Sequence, residues 1–130
     1  MKYLLREKRR FDAIVLDAYS SQEIPKQFLT AAFFDLAKSR LHARSALFLM
    51  NVIVANDDDL KAERLTRTMH KVWRQIRLLD SKGWENRNAV IAAGSVRTLK
   101  KPRLLMPPNN GARKIAAGLK SLNFHTVQSE

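Results

Sequence analysis

The chain has 130 residues, with 45% hydrophobic and 28% charged side chains and no cysteine. This length suits a single domain, the composition excludes wholesale disorder, and the lack of thiols excludes a disulfide framework, a thiolate zinc site and a cysteine nucleophile. The net charge of +12 gathers late in the chain: residues 1–65 hold 11 Lys/Arg against 9 Asp/Glu, and residues 66–130 hold 13 against 3. Such an imbalance fits nucleic acid, an acidic partner surface or an anionic ligand, and says little about fold. No apolar run approaches the ~20 residues of a membrane span. The opening MKYLLREKRR lacks the apolar core of a secretion signal, so a cytoplasmic location is expected.

Tyr3 to Leu5, followed by Arg6 to Arg10, reads as the end of an amphipathic helix closing in cations, which complement the helix dipole. This helix begins mid-turn at Met1, as if inside a domain. Ala13-Ile14-Val15-Leu16 is apolar, β-branched and too short for an ordinary helix. It predicts a central parallel strand covered on both faces and ending at Asp17. A loop follows from Ala18 to Glu23. Pro25 suits a first helical position, and Thr30 is a candidate N-cap for a helix burying Phe33, Phe34, Leu36, Ala37 and Leu41. The next strand is Ala46 to Val54, apolar on both faces apart from Asn51. A helix between two such strands is the expected parallel crossover. In open α/β sheets, ligands bind beyond the carboxyl ends of strands, where Asp17 stands.

Asn56 to Asp59 predicts a helix start, with capping side chains and negative charge at the positive end of the dipole. Leu65, Met69, Val72, Trp73 and Ile76 recur at helical spacing, which extends this helix to about Leu79 with that face on the sheet. Lys82-Gly83 ends it, and Asn88 to Ala93 is a third strand. Lys100-Lys101-Pro102 and Pro107 to Gly111 are loop punctuation. Ala112 to Leu122 reads as a final helix and Phe124 to Val127 as a closing strand. The result is one α/β layered domain, with its core in residues 3–94 and a looser end in residues 95–130.

The segment FDAIVLDAYSSQEIPKQFLTAAFFDLAKSRL and the strand after it resemble the carboxyl-terminal half of the spermidine-synthase-like polyamine aminopropyltransferases. The resemblance covers Tyr3 to Asn56; beyond that it rests on the order of elements. Its most specific parts are the strand ending in Asp17, Ile24-Pro25, Leu29-Thr30 and Phe33-Phe34. It implies a Rossmann-like (methyltransferase-like) fold, a mostly parallel sheet with flanking helices. It also implies transfer of a group from an S-adenosyl donor, decarboxylated S-adenosylmethionine or S-adenosylmethionine itself, to an amine or other nucleophile. Asp17 matches the family's catalytic aspartate, whose carboxylate accepts the amine proton and orients its lone pair. Tyr19, Ser20 and Gln22 follow it as candidate substrate contacts. The plainer reading is that Asp17 binds its own loop and that the other three are solvated.

The sequence departs from the family in two places. Polyamine synthases carry a second aspartate three residues after the catalytic one, followed by proline; here these positions are Ser20 and Ser21. A cationic diamine such as putrescine thereby loses its main electrostatic anchor. The cofactor half of the fold also needs a Gly-rich turn. The glycines here are Gly83, Gly94, Gly111 and Gly118, never two within one short loop. The expectation is an incomplete Rossmann-like domain with no tightly bound cofactor, which alone binds S-adenosyl ligands weakly or not at all. A half-domain exposes sheet edge and apolar surface, so a non-catalytic assembly role, as a homo-oligomer or with a missing amino-terminal half, is an alternative.

A second alternative is nucleic-acid binding. Arg64, Arg67, Lys71 and Arg74 fall at i, i+3, i+7 and i+10 of the long helix and form one basic stripe. With Arg77, Arg97, Lys100, Lys101 and Arg103 they suit a sequence-independent phosphate surface. The plainer reading is a solvated helix face. His42, His70 and His125 are far apart with no ligand spacing, so no metal site is expected. Ser20 and Ser21 lack the G-x-S-x-G context of a hydrolase. Trp73, Trp84, Met50, Met69 and Met106 read as packing residues.

Overall fold

Strand β2 (Leu47–Val54) organises the core because its side chains alternate between buried and half-buried along the whole strand. The inner set is Phe48, Met50, Val52 and Val54, each almost without exposed surface. The computed structural model describes residues 1–21, 23–99, 101, 105–106, 109 and 112–127. Within them the chain runs α1 (Lys2–Arg6), β1 (Ala13–Leu16), a 3-10 turn (Lys26–Phe28) and α2 (Ala31–Ser39) before β2. It continues through α3 (Lys61–His70), β3 (Ile76–Leu79), β4 (Arg87–Gly94), α4 (Arg113–Ser121) and β5 (Phe124–Thr126). Thr30 caps α2, its hydroxyl accepting from the Phe33 amide. The 3-10 turn starts directly after Pro25.

The sheet has the order β1-β2-β4-β3-β5. Mixed strands with flanking helices make this a Rossmann-like α/β fold. β1 and β2 are parallel, whereas β4 runs antiparallel to both of its neighbours and β5 antiparallel to β3. So β1, β2 and β3 point one way, yet β1–β2 is the one parallel pairing, fewer than a mostly parallel sheet implies. The short connection from β3 to β4 explains this, since it is too short for a crossover and turns the chain straight back. β4 then lies between β2 and β3.

One face of the sheet is covered by α2 and α3. Phe33, Phe34 and Ala37 from α2 and Ala62, Leu65 and Met69 from α3 meet Phe48, Met50, Ile91 and Leu78 in one buried cluster. An aromatic group locks the layers: Phe34 stands edge-on to Phe48 at 5.9 Å, and Trp73 stacks on Phe48 at 5.1 Å. Edge-to-face and offset geometries are those the ring quadrupoles favour. The other face is barer. Val15 on it is 65% exposed, and Leu47, Leu49 and Ile53 are half-buried.

Two expected elements are corrected. β1 is an edge strand with one open face, rather than a central strand covered on both. The helix expected to reach Leu79 stops at His70, and Ile76–Leu79 is a strand. Ile76 and Leu78 are buried and Arg77 and Leu79 half-buried, a period of two. Leu65, Met69, Trp73 and Ile76 are all core, as expected, but come from a helix, a turn and a strand. A short apolar run is read equally well as helix or strand from periodicity alone. The acidic run before α3 shapes a loop instead of capping. Asn56 Oδ1 accepts from the Asp58 amide, and Asp59 accepts from the Ala55 and Lys61 amides. Trp84 and Met106, expected in the core, are 69% and 79% exposed.

Candidate functional site

Asp17 follows the last residue of β1 at its carboxyl end, and its side chain is exposed. The parallel register pairs Val15 with Leu49 and Leu16 with Met50. The next pair in that register is Asp17 and Asn51, and it is closed by side chains: Asn51 Nδ2 donates to Asp17 Oδ1 at 3.0 Å. Alternation puts Leu16 and Met50 on the helix-covered face, so Asn51 belongs to the barer one. A carboxylate is acceptor-only when ionised, which sets the Asn51 amide with its nitrogen towards Asp17. Asn51 Oδ1 is then buried with no partner among the described residues. An unsatisfied buried carbonyl is uncommon enough to call for a donor.

Tyr19 is half-buried next to this pair. Its hydroxyl donates to the Asn51 carbonyl at 2.8 Å and accepts from the Ile53 amide at 2.9 Å. It thereby replaces a strand neighbour for β2 just where β1 has ended. Burial raises the Tyr19 pKa, the Ile53 amide works against the rise, and the Asp17 charge adds to it. The phenol therefore holds its proton and acts as a bracket for Asn51. Ser20 pairs with Glu23 through two backbone hydrogen bonds, and Ser21 between them has φ +60°. Left-handed backbone at a non-glycine residue marks a tight turn. Gln22 lies outside the described residues.

The structure thus brings Asp17, Asn51 and Tyr19 together as a candidate site, with Ser20 on the adjoining turn. Asn51 was not among the expected site residues, although it is the one polar residue in the run ALFLMNVIV. Surface clefts of about 590, 400, 360 and 270 Å³ lie elsewhere, and Asp17 lines none of them.

Two of the described glycines have positive φ, Gly83 and Gly94, and neither lies in a Gly-rich turn. Gly94 has φ +101°, but the space a Cβ would take is filled by the Ala46 carbonyl oxygen, 2.5 Å away. The Gly83 amide is engaged by both oxygens of Asp57 at 3.0 Å. Among the described residues there is also no group of three or more His, Asp or Glu that could hold a metal ion, and no helix long and apolar enough to cross a membrane.

The basic residues are redistributed by the early end of α3. Arg64 and Arg67 are on the helix, Lys71 is its C-cap, and Arg74 belongs to the turn before β3. Arg64 borders the 270 Å³ cleft beside Ile24 and Leu29, while Arg74 borders the 360 Å³ cleft. The four cations therefore do not form one continuous helical stripe.

No family model matches the sequence, and no curated protein matches it. Among solved structures, the chain is similar to a probable spermidine synthase from Corynebacterium glutamicum ATCC 13032, with 17% identity and a TM-score of 0.65. The match covers 95% of this chain and 46% of that one, so the chain spans about half the length of this neighbour. At that identity the likeness is one of architecture. The chain shares the overall architecture of that neighbour over nearly its whole length.

Proposed function

We propose that this chain supplies the acceptor side of a spermidine-synthase-like transferase, with Asp17 as the carboxylate that receives an amine nucleophile. Asp17 takes an N–H of the amine on the oxygen not engaged by Asn51 and orients the lone pair away from itself. Asn51 holds the carboxylate in place through its Nδ2. The supporting observation is the Asn51–Asp17 hydrogen bond at the carboxyl end of β1, the edge where this class of fold binds ligands. The transferred group in such a reaction comes from an S-adenosyl donor.

Two titrations followed by amide NMR test the proposal. Butylamine should shift the signals of Ala18, Asn51 and Ile53, and Asp17→Asn should abolish those shifts. 1,4-Diaminobutane should bind no more than about twofold more tightly than butylamine, since Ser20 replaces the second carboxylate. Shifts that persist in Asp17→Asn, or none with either amine, would overturn the assignment. S-adenosylmethionine should give no calorimetric binding in the micromolar range.

A second reading, a non-catalytic assembly partner, is favoured by the exposure of Val15 on edge strand β1.

A further inference from the structure

The 360 Å³ cleft lies at the amino end of β3, on the opposite edge of the sheet from Asp17. Arg74, Arg77, Arg97 and His70 line it, together with Gln75 and Thr126. Among the described residues, no carboxylate lines it and none of the three arginines forms an ion pair. They come from three separate places: the turn after α3, the first half of β3, and the segment after β4. Only the tertiary fold brings them to one cleft. Arg77 is half-buried within the sheet, opposite Ala92 and Thr126. Like charges gathered on one cavity repel, and an anion seated between them relieves that repulsion.

We propose that this cleft is an oxyanion site for a phosphate-bearing ligand. Planar guanidinium forks match phosphate oxygens two at a time, which suits arginine where a point charge would give no orientation. The volume sits at the lower end of the range for small-ligand sites, enough for a phosphate or diphosphate group. His70 frames the cleft by donating from Nε2 to the Val127 carbonyl at 3.0 Å, which ties the end of β5 to α3. The phosphate has two possible sources, a small phosphorylated metabolite or the backbone of a nucleic acid. The charge of the later half of the chain attracts both.

The test uses the full chain at low salt, with pyrophosphate and a fluorescent single-stranded RNA oligonucleotide as probes. Arg77→Gln and Arg97→Gln should each weaken pyrophosphate binding on the order of tenfold, the size expected for a charge-assisted hydrogen bond. Arg64→Gln, in a different cleft, should change it less than twofold. Arg97→Lys should keep the charge but lose the fork, giving an intermediate affinity. Matching circular dichroism and melting midpoints establish that the variants are folded. If the oligonucleotide binds as well, loses affinity in the same two variants and is displaced by pyrophosphate, the source is nucleic acid. If pyrophosphate alone binds, the source is a small metabolite. Equal losses in Arg64→Gln and Arg77→Gln, or no binding of either probe, overturn the proposal.

Discussion

Arg87 is the residue on which the lower edge of the sheet is pinned. It is 7% exposed at the start of β4. Its Nε and Nη2 donate to the two oxygens of Asp80 at 2.6 and 2.9 Å, and Nη1 donates to the Trp84 carbonyl at 2.6 Å. Asp57 lies 3.0 Å from the same Nη1 and also holds the Gly83 amide. One guanidinium thus organises the β3–β4 connection and the loop before α3. The Arg87 hydrogen bonds hold the Asp80 pKa below the ordinary carboxylate value, against the opposing effect of burial. Removing one partner of a buried pair typically costs about 3–5 kcal/mol, because the other charge is left uncompensated. Asp80→Asn should therefore lower the unfolding free energy by about 3 kcal/mol in urea titrations at pH 7. Because the folded pKa is depressed, the carboxylate's contribution is fully present above the unfolded value of about 4 and is lost as pH falls through the lower folded value. The gap between wild type and Asp80→Asn should close as the titrations are repeated below pH ~4. A gap independent of pH would show that the loss is one of packing. No spacing rule marks Arg87 in the sequence; the only hint is a lone cation heading an apolar strand.

At the scale of elements, close approach between β4 and the start of β2 sets the fit of the sheet. Gly94 ends β4 with φ +101°, and its register partner is Leu47. A methyl group there would meet the Ala46 carbonyl oxygen, which itself accepts from the Ser95 amide at 3.1 Å. Gly83 also has positive φ, +89°, but a Cβ there would meet nothing within 4 Å. The pair separates backbone strain from collision. Gly83→Ala should cost only the strain, about 1–2 kcal/mol, and Gly94→Ala measurably more in the same thermal or urea melts. Equal losses would mean that β4 shifts freely away from Ala46. Elements defined by local signals were legible: Thr30 caps α2, and β1, β2, α4 and β5 fall within a residue or two of expectation. The α3–β3 boundary was not, because Met69, Trp73 and Ile76 keep helical spacing in sequence while the chain changes conformation between them.

For the whole molecule, the uneven covering of the sheet is the dominant property. α2 and α3 bury one face, while Val15 and the half-buried Leu47 and Leu49 remain on the other. β1 also presents an edge without a neighbour among the described strands, and such edges invite pairing with another chain. The assembly reading therefore gives a concrete expectation. Sedimentation velocity should show concentration-dependent association of the full chain, and Val15→Lys should suppress it without altering circular dichroism. A chain that is monomeric at every concentration tested would remove that reading and leave the Asp17 proposal untouched. The two ends of the sheet also differ in charge, with a carboxylate at the end of β1 and an arginine-lined cleft at the start of β3.

The sequence by itself determined the α/β class, most element spans and the position of Asp17 at a strand tip, because each depends on patterns a few residues long. Tertiary structure decided what those patterns could not carry. The insertion of β4 between β2 and β3 set the strand directions, and the register brought Asn51 to Asp17. The fold also separated Arg64 from Arg74 while gathering Arg74, Arg77 and Arg97 around one cleft. Strand order and register are contacts between distant segments, chosen by how the apolar faces close together, and no local spacing encodes them.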